Sequence, residues 1–317
     1  MNKFMRLFKK VGGKDVLKQY LRAHVFLFAC VQALLLGFSK KSLEILRLAV
    51  SNKILKKLRK KYRKFIEGYV AAADNKDLQR VKSNKVWVCW FQGIEQAPYI
   101  VKKCYQSLQD NLKDKEIILL TDDNYRDYVT FPNHVQEKID KGYISKTHMS
   151  DLLRLELLAN YGGTWIDATV FLSGDNYPDY IFDSDLFLFQ DLKPGLDGHP
   201  TCISSWFMTA TTNNPIILLT RDLLYEYWRK NKSLIDYFLV HDMFQLAIET
   251  YPEEWDKNMP FSNSLPHILL LRMFDKYEEK TWEAIKNQTA VHKMTYKFDE
   301  KDTLLEGTYY HVIFKEG

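Results

Sequence analysis

Residues Ser150–Phe171 read "SDLLRLELLANYGGTWIDATVF". Leucine stands at positions 152, 153, 155, 157 and 158, so the segment is apolar nearly all round a helical cylinder and predicts a buried helix. Gly162 and Gly163 follow where a helix closes on a left-handed residue. "TWID" then predicts a strand with Asp167 at its end. Within the helix, Asp151 and Arg154 lie three residues apart and share one face. Desolvating a lone charge costs several kcal/mol, so charges on a buried helix are paired or held by a ligand. Two readings stand side by side: a structural Asp–Arg pair, or a helix that aims both groups into a polar-ligand cleft.

Outward from this stretch the pattern alternates strand and helix. "KVWVCWF" (85–91) and "EIILLT" (116–121) are strand runs, joined by the helix "APYIVKKCYQSLQDNL" (97–112) with Pro98 suited to its first turn. Uninterrupted apolar strands predict a parallel sheet covered on both faces, an α/β fold. Ligands of such sheets collect at the carboxyl ends of strands, which singles out Trp90–Gly93 and Thr121–Asn124. Residues 185–190 and 203–209 read as further strands, the latter with Trp206 as core rather than an acceptor platform. Residues 213–228 and 233–251 read as helices, the first capped by Asn214 ahead of Pro215. His241 and Asp242 lie in the second and read as polar surface. Near the end, "VHKMTYK" (291–297) gathers His292, Lys293 and Lys297.

The net charge of +5 hides an asymmetry. Residues 1–66 carry 18 Lys/Arg against 2 acids, and the rest 27 against 38. A basic arm, 1–75, therefore precedes an acidic body, 76–317, through the linker "AAADNKD" (71–77). The four scattered cysteines form no CxxC pair and fit a reduced, cytosolic setting. The arm's apolar window, residues 23–38, is shorter than the roughly 20 residues a bilayer span needs. In "SNKILKKLRKKYRKFI" (51–66), Ile54, Leu55, Leu58, Tyr62 and Phe65 repeat at helical spacing among cations. Such a helix can lie in anionic headgroups, or instead pack on the body or a partner. The first option predicts that removing residues 1–66 leaves a soluble body. No base-reading module accompanies the arm, so nucleic acid is not an expected partner.

An aspartate at a strand end, an Asp/Arg pair and nearby aromatics suit a charged, hydroxyl-rich ligand such as a sugar nucleotide. Hard oxygen ligands favour Mg²⁺ or Mn²⁺ on its diphosphate, and His292 and Lys293 are candidates for its phosphate oxygens. No P-loop, GxGxxG or GxSxG motif is present, leaving kinase, dinucleotide and serine-hydrolase readings without support.

The opening stretch resembles the core motif of the glycosyltransferases with a DXD sugar-binding region, at Ser150, Asp151, Arg154, Leu158, Gly162, Gly163 and Asp167. More closely, residues 85–297, with "WIDATVF" and "VHKMTYK", resemble bacterial capsular polysaccharide synthesis proteins. The resemblance implies a GT-A, Rossmann-like domain, a nucleotide-sugar donor (a UDP-sugar first) and retention of anomeric configuration. By position, Asp151 and Arg154 would hold donor sugar hydroxyls, Trp90 and Gln92 would lie at the nucleotide, and Asp167 at ribose and metal. Thr169 stands where the second metal-binding acid is expected. Activity is therefore expected to need Mn²⁺ or Mg²⁺, with Asp167 and Thr169 as the protein ligands and weak binding in the absence of donor. The combined expectation is a peripheral enzyme on the cytoplasmic face of the membrane, adding a sugar to a lipid-linked saccharide. The alternatives are a non-catalytic sugar-nucleotide scaffold and a transferase of phosphate-containing groups to a surface polymer.

Overall fold

The structure is a computed structural model that describes residues 13–73, 78–192 and 201–316. Parts of the expected arm and linker, residues 1–12 and 74–77, lie outside them.

The central sheet has six strands: β1 (Lys85–Cys89), β2 (Glu116–Leu120), β3 (Gly163–Ile166), β5 (Leu186–Gln190), β6 (Ile203–Ala210) and β7 (Phe261–Ser262). Their spatial order is β2-β1-β3-β6-β5-β7. β1 runs parallel to β2 and β3, whereas β6 is antiparallel to both β3 and β5. The sheet is thus mixed, where the apolar runs alone predict a parallel one. β4 (Val170–Leu172) leaves this sheet just after Asp167 and pairs antiparallel with β8 (Val291–Lys293).

Strand alternation splits the apolar side chains between two cores. Trp87, Trp165, Leu186, Leu188 and Met208 enter one, and Val86, Val88, Ile166, Phe187 and Phe207 the other. Both faces are covered, as continuous apolar strands require.

Nine helices of eight residues or more surround the sheet among the described residues. The first four are α1 (Gly13–Arg22), α2 (Phe26–Leu36), α3 (Lys40–Ala73) and α4 (Tyr99–Asn111). They are followed by α5 (Asn133–Asp140), α6 (Lys146–Tyr161), α7 (Pro215–Lys230), α8 (Leu239–Thr250) and α9 (Glu279–Gln288). The helix expected from residue 233 starts six residues later, at Leu239. α6 is the buried helix of the opening stretch. Ser145 caps it by accepting from the His148 N–H, and all five leucines are buried. At about 1.5–3 kcal/mol per buried leucine, this helix is a main anchor of the core.

The α6–β3 junction needs both glycines. Gly162 and Gly163 have φ of 66° and 91°, a region costly to other residues. A Cβ on Gly163 would also stand 2.3 Å from the Lys85 carbonyl oxygen. The close approach lets β3 lie against β1 and carries the chain straight to Asp167.

The arm corrects one expectation. Val50, Ile54, Leu55, Leu58 and Tyr62 of α3 are buried in the same core as α6, α7 and α8. Arg59 grips Glu249 with both its Nε (2.7 Å) and Nη2 (2.6 Å). The apolar stripe of α3 is therefore covered by the body and does not face headgroups, and cutting the chain at residue 66 would strip that core. Within the described arm the most exposed apolar side chains gather on α2, where Leu27 (77% exposed), Leu34 (79%) and Leu35 (76%) stand clear.

Candidate active site

A cleft of about 570 Å³ opens beside the carboxyl ends of β3 and β5. Its wall includes Asp151 and Arg154 from α6, Asp167 after β3, Asp191 after β5, Trp206 on β6, His241 on α8 and Lys293 on β8. The volume suits a small organic ligand, and the sheet places these groups together from six separate stretches of chain.

Arg154 is the hub. Its Nη2 reaches Asp151 Oδ1 at 3.2 Å and Asp167 Oδ1 at 3.5 Å. Nη1 donates to the Ser205 carbonyl, and Nε donates to the Ser150 carbonyl at 3.4 Å. The guanidinium also lies over the Trp165 ring, 4.9 Å from its centroid. Asp167 Oδ1 further accepts from Trp165 Nε1 at 3.0 Å, and its Oδ2 pairs with Lys293 Nζ at 3.1 Å. Burial pushes the Asp167 carboxyl up, but Lys293 and Arg154 outweigh it and hold its pKa below the ordinary value. The group is an anion at neutral pH, and its side chain remains 29% exposed to the cleft.

Asp151, Arg154, Asp167, Thr169 and Lys293 thus come together. His292 does not. It is fully buried, hydrogen-bonded through Nε2 to the Ser173 hydroxyl at 2.8 Å, and flanked by the Phe171 and Trp282 rings. Burial lowers its pKa to about 3. Neighbouring strand residues face opposite sides, so once Lys293 turns to Asp167, His292 turns to the core. A phosphate-binding role for His292 is corrected on that ground.

Trp90 and Gln92 sit at the carboxyl end of β1, outside the residues that wall the cleft. Trp90 packs edge-on against Tyr296 (5.4 Å) and Gln92 is exposed. Trp206 is both core and wall: it stacks on Phe189 at 4.7 Å and donates to Asn263 Oδ1 at 2.9 Å.

His241 belongs to the site, not to the polar surface. It lies in the first turn of α8 and lines the cleft. Burial drives its pKa down to about 4, with Asp151 opposing, so the imidazole is neutral at pH 7. Its neighbour Asp242 points into the core, where burial raises its pKa well above the usual range. Asp191 was also legible: it follows a strand end as Asp167 does, and the rule that selected β1 and β2 applies equally to β5.

Residues 37–313 match the family described as "Capsular polysaccharide synthesis protein". The chain belongs to this family. The match takes in α3 together with the sheet and the cleft, in keeping with the shared core of arm and body. No curated protein matches the chain. Among solved structures, one named "PaToxG Glycosyltransferase" is similar over 66% of this chain and 80% of its own, at 15% identity and a TM-score of 0.38.

The chemistry of the residues expected to hold a divalent ion argues against such a site. Asp167 Oδ2 and Thr169 Oγ1 both engage the Lys293 ammonium. The other Asp167 oxygen is taken by Arg154 and Trp165. Among the described residues no group of three or more His, Cys, Asp or Glu side chains is placed to hold a metal. One carboxylate, one neutral hydroxyl and a resident cation do not fit a divalent-ion site, which wants several free hard oxygens.

Proposed function

We propose that the protein is a glycosyltransferase that moves a sugar from a nucleotide-sugar donor, a UDP-sugar first, to a lipid-linked saccharide. The observation that carries this reading is the convergence of Asp151, Arg154, Asp167 and Lys293 on one cleft, in a chain of a capsular polysaccharide synthesis family. Carboxylates accept from sugar and ribose hydroxyls, while Lys293 meets the negative charge that grows on the departing diphosphate. Charge developing there dominates the barrier of such a transfer. The bond from the anomeric carbon to the diphosphate breaks with its electron pair on the diphosphate oxygen. The acceptor hydroxyl oxygen forms the new bond, and its proton leaves with the diphosphate. Retention of configuration remains part of this proposal through the family resemblance.

Attachment to the cytoplasmic face of the membrane is proposed through α2. Among the described residues no helix is long and apolar enough to cross a membrane. Leu27, Leu34 and Leu35 form an exposed stripe, and exposed Arg22 and Lys40 flank the helix. Apolar side chains between cations suit an anionic lipid surface.

The test is release of nucleoside diphosphate by the full-length protein from a panel of nucleotide sugars. Turnover of at least one donor is expected, and Asp167→Asn should cut it about 100-fold or more, the size of effect expected when electrostatic preorganisation is lost. Binding of donor with no turnover in the presence of lipid-linked acceptors would favour the scaffold reading. Transfer of a phosphate-containing group would favour the other alternative.

A further inference from the structure

We propose that Lys293 is a built-in replacement for the divalent cation, so that the cleft handles the donor diphosphate without metal. This rests on the reading of the cleft as a nucleotide-sugar site and names the group that neutralises its diphosphate. Lys293 is not an ordinary surface lysine. β8 pairs it with Val170 of β4, and the Met294 N–H donates to the Thr169 carbonyl at 2.8 Å. The Val170 N–H closes the turn onto the Asp167 carbonyl at 2.9 Å. The backbone ladder thus fixes Lys293 against the same turn that presents Asp167 and Thr169.

The side chain completes the arrangement. Its ammonium bonds Asp167 Oδ2 and Thr169 Oγ1, the two positions from which a metal would be held. An ammonium has three N–H donors. Two are engaged, and among the described residues none takes the third, which is left for an anionic oxygen in the cleft that Lys293 lines. The Thr169 side chain suits this arrangement, because a neutral hydroxyl accepts from the ammonium without adding a charge that would recruit a second cation. Arg154, on the far oxygen of Asp167, makes the carboxylate still less available to a divalent ion. Because the cation is covalently part of the protein and already positioned, it needs no reorganisation when charge develops on the leaving diphosphate.

The experiment is calorimetric titration of the full-length protein with UDP, in EDTA and again in Mn²⁺, with the donor panel of the preceding test run alongside. The wild type is expected to bind UDP with the same affinity within about twofold in either condition, and turnover should survive the chelator. Lys293→Met should weaken UDP at least tenfold with no rescue by Mn²⁺, whereas Lys293→Arg should retain most of the affinity. A tenfold or greater loss of wild-type affinity in EDTA would overturn the proposal and leave the nucleotide-sugar reading standing. No binding of UDP or of any donor in either condition would overturn both. Since the decisive comparison uses the wild type, poor folding of a variant does not blur the result.

Discussion

Arg154 is enclosed by its own protein. Two backbone carbonyls, two carboxylates and the Trp165 ring surround the guanidinium, which leaves little donor capacity for a ligand. The two readings of the Asp151–Arg154 pair therefore merge: it is structural, and it sets the position and charge of Asp167. A lysine cannot reach these partners at once, because it lacks the planar fork. Arg154→Lys is expected to destabilise the protein by about 3–5 kcal/mol, the range for breaking a buried ion pair, together with a loss of turnover. Urea unfolding measures the first part. A loss under about 1 kcal/mol, the size of a surface ion pair, with turnover abolished would return Arg154 to the role of a direct donor ligand.

At the scale of elements, the α6–β3 junction is the most constrained piece of the chain. Gly163 combines a positive φ with a carbonyl where its Cβ would be, and the obstacle is backbone in β1, which cannot swing aside. Gly163→Ala is expected to cost at least about 3 kcal/mol, from strain and displaced strand pairing together. Thermal melting would register this as a large drop or as failure to fold. A melting temperature within a few degrees of wild type would mean that β1 and β3 separate easily. The β4–β8 ladder is a second element with a functional consequence, since it brings a residue near the end of the chain to a turn more than a hundred residues earlier. Local pattern could flag Lys293 as a candidate but not tell it from His292, because the strand's face is set by its pairing partner.

For the whole molecule, the charge asymmetry of arm and body has a structural answer. The apolar stripe of α3 is part of the core, so this helix does not swing as an independent unit; its cations face outward, and the exposed apolar side chains of the described arm gather on α2. Replacing Leu27, Leu34 and Leu35 together by serine is expected to reduce cosedimentation with phosphatidylglycerol vesicles at least tenfold while leaving the melting temperature near wild type. Each apolar side chain contributes on the order of 1 kcal/mol or more to such burial, and these three are exposed in the protein itself. Full-length protein that stays off the vesicles at low salt would remove the membrane proposal.

The sequence by itself determined what depends on neighbours along the chain. Leucine spacing made α6 a buried helix, the paired glycines ended it, apolar runs set β1, β2 and β3, and Asp167 fell at a strand end. These follow from local sterics and from the period of each element. Tertiary structure alone decided what depends on which element lies beside which. It made the sheet mixed rather than parallel, because β6 enters antiparallel beside β3. It turned the α3 stripe onto the body, since an apolar stripe is the same in sequence whether lipid or protein covers it. It brought His241 and Asp191 into the cleft and sent His292 to the core. Above all it set the Lys293 ammonium on Asp167 and Thr169, a charge contact across 126 residues that no local periodicity encodes.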